Sequence, residues 1–361
     1  MEYYLFATND CNLNCTYCSV ILDAKQNNMP MNPTYSLKDL NDFIEQTQCN
    51  SNDEEIKIVF FGGEPTLNYD FISDVIAAQG YLQRLYLITY VLHTNGVILD
   101  KIPKSLLANI SIILVSINYM NIPQYNLHEG YFSTIIEGLR FVRKHNPTIK
   151  TIGRFTVTER TSLYLESSSL HPFFDYIYWQ IENCHSFQNF QYFYKAYTYD
   201  LQMLFDIWVS YLKRGILLRI IPFMAGVACA GGNSISDDFT CGYNKSMIYI
   251  QTDGRCYTCA EDMMSANNLV GHIKTGFQFD GYSVNNSPLC VACNFRPLCN
   301  GRCARMWREF EQSHATEYCQ LNKFMFTLIT DKYDVICKAL EQHNLNINLT
   351  EPLFHLTELV P

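Results

Sequence analysis

Three cysteines near the start of the chain, Cys11, Cys15 and Cys18, are separated by three and then two residues. Thiolates at that spacing can wrap one loop around three irons of a [4Fe–4S] cube and leave the fourth iron without a protein ligand. A tetrahedral zinc or a fully ligated cluster requires a fourth cysteine close by, and none follows before Cys49. An iron left open is a place where a small molecule can chelate. The alternatives are a zinc loop or three unrelated thiols. A larger set punctuates the later half: Cys229, Cys241, Cys256, Cys259, Cys290, Cys293, Cys299, Cys303 and Cys319. Its Cys-x-x-Cys pairs would by themselves also suit zinc.

The elements that must position these thiols read as alternating strands and helices. Tyr3 to Ala7 is a first strand that delivers the cysteine loop at its C-terminal end, where α/β barrels place their chemistry. Ser36 is an N-cap for a helix to Gln48, with Leu37, Leu40, Phe43 and Ile44 on one face. Glu55 to Phe61 is a strand ending in Gly62-Gly63-Glu64-Pro65, and two glycines there let backbone approach a ligand. Phe71 to Ala78 is helical. Leu85 to Leu92 is a strand ending at His93-Thr94-Asn95-Gly96, where Asn-Gly marks a tight turn. Ile110 to Ile117 is the next strand, closing on Ser116-Ile117-Asn118.

An amphipathic helix from Tyr131 to Lys144 precedes a strand from Thr151 to Thr158. That strand holds Arg154, a charge costly to bury unless paired. Tyr176 to Ile181 is the sixth strand. Six βα units in about 200 residues fit an α/β fold, a partial (β/α)6 barrel open on one side. A helix from Leu201 to Gly215 and a strand from Leu217 to Phe223 follow, and then regular alternation stops. Thr252-Asp253-Gly254 is the turn of a hairpin between Met247–Gln251 and Arg255–Thr258. A last helix runs from Leu321 to about Gln342. The expected layout is a core barrel over 1–222, a cysteine-rich domain over 223–345 and a tail over 346–361.

Composition bounds the function. Of 361 residues 48% are hydrophobic and 17% charged, ample for a buried core. The net charge of −9 and the lack of any basic run exclude a nucleic-acid surface. No apolar stretch of about 18 residues suggests a membrane span, and the start lacks a signal peptide. Fifteen cysteines in a chain of this kind are expected to be metal ligands in a reducing cytoplasm rather than disulfides.

Taken together, the Cys11-x3-Cys15-x2-Cys18 loop with Tyr17 before its last thiol, the Gly62-Gly63-Glu64-Pro65 turn and Thr94-Asn95-Gly96 resemble the radical S-adenosylmethionine (radical SAM) superfamily. That resemblance implies that SAM chelates the open iron through its amino and carboxylate groups. It further implies that the Gly62–Pro65 motif binds the SAM amino group and that Asn95 and Ser116 line the pocket. Arg154 would reach the SAM carboxylate, with Gln180 and Ile181 flanking the adenine. The family usually has Ser-Ile-Asp where this chain has Asn118, which weakens a carboxylate role there.

The later thiols resemble the SPASM signature: Cys241-x12-Gly254-x4-Cys259, then Cys290-x2-Cys293-x5-Cys299-x3-Cys303, with Cys319 beyond. By that resemblance Cys241, Cys259 and Cys303 hold one auxiliary [4Fe–4S] cluster, and Cys290, Cys293, Cys299 and Cys319 hold a second. The fourth ligand of the first is Cys229, Cys256 or none, with Cys229 favoured. Cys49, Cys184, Cys229, Cys256 and Cys337 otherwise default to buried apolar residues. Cys184, following the sixth strand, is also a candidate hydrogen-atom donor.

The resemblance implies hydrogen abstraction by a 5′-deoxyadenosyl radical from a ribosomally made precursor peptide or protein. Electrons would come from a flavodoxin or ferredoxin, and the auxiliary clusters would accept the electron left on substrate. Two-electron oxidation or a thioether or carbon–carbon crosslink is expected, with formylglycine formation or epimerisation as alternatives. The chain looks most like peptide-modifying SPASM enzymes of largely unassigned reaction. Anaerobic sulfatase-maturating enzymes are the rival, but they carry an Asp right after the cysteine equivalent to Cys259. Here that residue is Ala260, with Glu261 and Asp262 beyond. Ten residues precede Cys11, too few for a leader-recognition domain of on the order of 80 residues. A leader is therefore expected to bind the enzyme's own cleft or a separate protein. An electron-transfer protein would explain the clusters but not a SAM pocket, and a zinc module would not explain the barrel.

Overall fold

A computed structural model describes residues 1–15, 18–49, 54–118, 130–183, 186–233, 239–263, 267–347 and 360–361, without the side chains of 19, 21–23 and 262. The chain forms two compact units that interleave along the sequence. One comprises Met1–Ile117, Asn121–Thr151 and Asn244–Gly281, and the other chiefly Ile152–Tyr243 and Tyr282–Pro361. The sequence led us to expect consecutive segments over 1–222, 223–345 and 346–361; residues 244–281 group with the N-terminal strands.

The first unit is built on strands β1 (Glu2–Thr8), β2 (Glu55–Gly62), β3 (Leu87–Thr94) and β4 (Ile112–Ser116). They pair in parallel in that order. All seven residues of β1 are buried, as a strand covered on both faces must be. The anticipated hairpin is present as β7 (Met247–Ile250) and β8 (Arg255–Tyr257), numbered after β5 and β6 of the second unit. β7 lies parallel to β1, with Tyr3 opposite Ile248, and antiparallel to β8. Two unforeseen strands, β9 (Leu269–His272) and β10 (Gly276–Phe277), extend the sheet beyond β8. The helix Leu37–Cys49 starts as expected, with the Asp39 amide donating to Ser36 Oγ at 3.1 Å.

The second unit contains β5 (Lys150–Val157), which begins at the unit's edge, and β6 (Tyr176–Ile181), paired in parallel with Arg154 opposite Tyr178. Its core is aromatic: Trp179, Phe205, Trp208 and Phe223 pack with ring centroids 5.2–6.0 Å apart. The strand expected from Leu217 to Phe223 is not formed. Ile220 makes a single bridge to Ile177, and a helix then runs Ile221–Ala230. Pro222 sits in its first turn, where a missing amide costs nothing, and the run that follows is rich in helix formers. The helix expected over 201–215 spans Phe190–Leu212, because Asn189 caps it earlier by accepting from the Tyr192 amide at 3.1 Å. The last helix is also longer than expected, Gln312–Gln342. The tail expected over 346–361 falls mostly outside the described residues. Among those described, no helix is long and apolar enough to cross a membrane.

Candidate active site

In the first unit three strand ends meet around the cysteine loop. β1 delivers Asp10 and Cys11, and β2 turns back on them at the double glycine. Gly62 has φ +122°, and a Cβ there would lie 2.3 Å from the Thr8 carbonyl oxygen, so only glycine fits. The Gly63 amide donates to that same carbonyl at 2.9 Å, and the Glu64 amide donates to the Asp10 carbonyl at 2.7 Å. The sharp turn thus brings the Gly62–Pro65 backbone alongside the loop.

Glu64 joins this turn to the end of β3. Its buried carboxylate accepts from the Thr66 amide at 3.1 Å and hydroxyl at 2.5 Å, the Thr94 hydroxyl at 2.7 Å and the Asn95 amide at 2.7 Å. Burial pushes its pKa up, and these donors pull against that. Asn95 does two things. Its Oδ1 accepts from the Val97 amide at 3.0 Å, shaping the Asn-Gly turn, while Nδ2 donates to Asn12 Oδ1 at 2.7 Å and to Cys11 Sγ at 3.9 Å. Ser116 at the end of β4 pairs with His93 Nε2 at 3.0 Å. The Tyr131 hydroxyl donates to the Asn95 and Ser116 carbonyls, each at 3.3 Å. Asn12, His93 and Tyr131 were not singled out from sequence, since only pairing across strand ends reveals them.

The remaining candidates for SAM contact belong to the second unit. Arg154 on β5 donates from Nη2 to Gln180 Oε1 on β6, so a charge costly to bury alone is paired with a neighbouring candidate. Asn118 donates from Nδ2 to the Thr156 carbonyl at 3.0 Å. Ile181, the last residue of β6, is fully buried. Tyr17 and Cys184 lie outside the described residues.

The later cysteines divide between the units. Cys290, Cys293, Cys299 and Cys319 all lie in the second. Cys290 follows a Ser287 cap, its amide donating to Ser287 Oγ at 3.4 Å, and the Cys293 amide donates to the Cys290 carbonyl at 3.1 Å. Cys299 closes the helix Arg296–Cys299 and feeds three left-handed residues, Asn300, Gly301 and Arg302 (φ +44°, +82° and +58°), before Cys303. Burial raises the Cys299 thiol pKa, and the nearby thiolates of Cys319, Cys290 and Cys293 add to this. Cys229 lies in the helix Ile221–Ala230, and burial raises it to about 11. Cys241 and Cys303 share that unit, whereas Cys259 belongs to the first. Cys256 is fully buried on β8, its thiol donating to the Gly254 carbonyl at 3.8 Å.

The residues present suit an iron–sulfur cluster by their donor chemistry. Burial raises Cys11 to about 11, with Cys18 and Cys15 adding to it, so iron must displace its proton. The Leu13 amide already donates to Cys11 Sγ at 3.4 Å, the kind of bond that supports a metal-bound thiolate. Among the described residues no three His, Cys, Asp or Glu side chains close to the geometry of a single metal ion.

Residues 5–161 match the family model of the Radical SAM superfamily. A cysteine-type anaerobic sulfatase-maturating enzyme of Clostridium novyi is 24% identical over 369 residues, covering 92% of this chain and 96% of that protein. The radical SAM cyclopropyl synthase TigE of Paramaledivibacter caminithermalis is 23% identical over 337 residues, covering 83% of this chain and 66% of that protein. Among solved structures, native anSMEcpe with bound AdoMet and Cp18Cys peptide superposes with a TM-score of 0.72 at 20% identity, covering 94% of this chain and 99% of that one. That likeness establishes a shared fold. With the cysteine loop and the strand ends that surround it, these matches identify a Radical SAM domain over residues 5–161, followed by a cysteine-rich C-terminal region.

Proposed function

We propose that this enzyme oxidises or crosslinks a ribosomally made peptide by net loss of two hydrogens. The observation that carries the reading is the junction in the first unit, where Gly62–Glu64, Asn95 and the Cys11 loop are hydrogen-bonded into one site. In this reading Cys11, Cys15 and Cys18 hold the first cluster. The Gly62–Pro65 backbone, Asn95 and Ser116 receive SAM, and by the family resemblance Asn118, Arg154, Gln180 and Ile181 are further candidates for SAM contact. When bound, SAM and the reduced cluster supply a 5′-deoxyadenosyl radical that takes a hydrogen atom from substrate. The substrate then loses a proton and one electron. Cys241, Cys259 and Cys303, with Cys229, and the set of Cys290, Cys293, Cys299 and Cys319 are the proposed holders of the clusters that accept that electron.

Two relatives are named for sulfatase maturation, and the peptide bound to anSMEcpe supports a peptide substrate. Formylglycine formation is disfavoured here by position 260. Ala260 is buried in an apolar cluster with Phe6, Tyr257 and Met263, so a methyl group stands where a base would be needed, in surroundings that would penalise a carboxylate. A cytoplasmic location and a flavodoxin- or ferredoxin-type reductant belong to the same reading.

Anaerobically reconstituted enzyme, reduced and given SAM with candidate peptides, tests it. The expected product is about 2 Da lighter, as two-electron oxidation requires, with 5′-deoxyadenosine formed alongside. A product of unchanged mass carrying solvent deuterium would mean epimerisation, with Cys184 as the first donor to test. Formylglycine on a sulfatase peptide would overturn the weight placed on Ala260.

A further inference from the structure

Arg302 occupies a backbone position that favours glycine. Its φ is +58°, the third consecutive left-handed residue in the turn from Cys299 to Cys303. A side chain with a Cβ is strained there in a way that glycine would avoid. The side chain is nonetheless 1% exposed. A residue that is strained in its backbone and buried in its side chain persists because its surroundings hold it, and such positions cluster at working sites.

What holds Arg302 is specific. Its Nε donates to the Pro361 carbonyl oxygen at 2.7 Å, Nη1 to Asn183 Oδ1 at 3.1 Å and Nη2 to the Ile181 carbonyl at 3.4 Å. The guanidinium lies 4.6 Å above the ring of Tyr318, the residue before Cys319, and the Tyr318 hydroxyl donates to the Glu182 carbonyl at 2.6 Å. The Arg302 amide donates to the Cys299 carbonyl at 3.1 Å. One planar cation and one phenol therefore tie the Cys299 turn and the Cys319 helix to the residues leaving β6.

We propose that Arg302 is a positioning residue for the auxiliary cluster assigned to Cys290, Cys293, Cys299 and Cys319, fixing it against the end of β6 and raising its reduction potential. This rests on the reading of that cysteine set given above. A cluster gains negative charge on reduction, and a fixed buried cation stabilises the reduced form more than the oxidised one. The fork geometry matters as well as the charge, since a lysine ammonium donates from a single nitrogen and cannot reproduce the planar fork whose Nε, Nη1 and Nη2 reach three separate oxygens.

The test uses the full-length protein, reconstituted anaerobically, with iron content and an EPR-monitored redox titration as readouts. Arg302→Gly removes the side chain while relieving the backbone, so the turn is expected to survive. This variant should retain about twelve irons, four per cluster, and the potential of this auxiliary cluster should shift to a more negative value. Arg302→Lys should restore most of that shift. An unchanged potential in Arg302→Gly with the cluster present would overturn the proposal. If Arg302→Gly instead loses about four irons, retention of them in Arg302→Lys supports the charge role, and equal loss in both refutes it. Wild-type protein that binds only about four irons would refute the cluster assignment itself, before any variant is compared.

Discussion

Replacing Gly62 by alanine tests whether the strand-end junction is held by close backbone approach. At φ +122° the new Cβ would stand 2.3 Å from the Thr8 carbonyl oxygen, about 1 Å inside ordinary contact. Two costs add. The backbone conformation alone is worth about 1–3 kcal/mol for a non-glycine residue, and relieving the overlap must move a carbonyl that also accepts the Gly63 amide. Losing that bond adds about 1 kcal/mol, for a sum of about 3 kcal/mol. Thermal unfolding should fall by about 6–12 °C for a unit of this size. Because Gly63 and Glu64 orient the SAM side of the junction, SAM-dependent 5′-deoxyadenosine formation should fall further than stability alone predicts. Gly276→Ala is the control: its φ is +83°, and nothing lies within 4 Å of its added Cβ, so it should cost only about 1 kcal/mol. Equal effects of the two substitutions would refute the close-approach argument and leave only backbone strain.

Changing Cys11, Cys15 and Cys18 together to alanine should abolish SAM cleavage while leaving about eight irons bound, four per auxiliary cluster; residual 5′-deoxyadenosine in that variant would sink the assignment. Cys229→Ala should change the EPR signature of the first auxiliary cluster, whereas Cys256→Ala should not, because that thiol is buried on β8 against the Gly254 carbonyl. An effect confined to Cys256 would reverse the choice of ligand. Burial raises Glu2 to about 7, with Lys57 opposing. A carboxyl whose folded pKa is raised contributes stability that is full below the unfolded value of 4.5 and is lost as pH rises through about 7. Urea midpoints should therefore show about 3 kcal/mol less stability at pH 8 than at pH 4 from this group, and the double variant Glu2→Gln/Lys57→Met should flatten that slope.

The sequence by itself determined where the six strands lie along the chain, because most of these buried strands write short apolar runs and the helices between them a 3.6-residue period. It also determined the thiol spacings and the double glycine, since these are local: Gly62 is legible because no other residue takes its backbone. Tertiary structure alone decided what the strand ends do to one another. Nothing in the spacing ties Asn95 to Asn12 and Cys11, or Ser116 to His93, since those bonds form between strands brought together only by the sheet. The run from Leu217 to Phe223 reads as a strand locally but makes only the single bridge at Ile220, and from Ile221 it is helical, with Pro222 in the first turn of that helix. Arg302 was invisible for the same reason. Its sequence neighbours say only that it lies between two cysteines, and its left-handed backbone and the oxygens around its guanidinium come from β6 and from Pro361, 59 residues away along the chain.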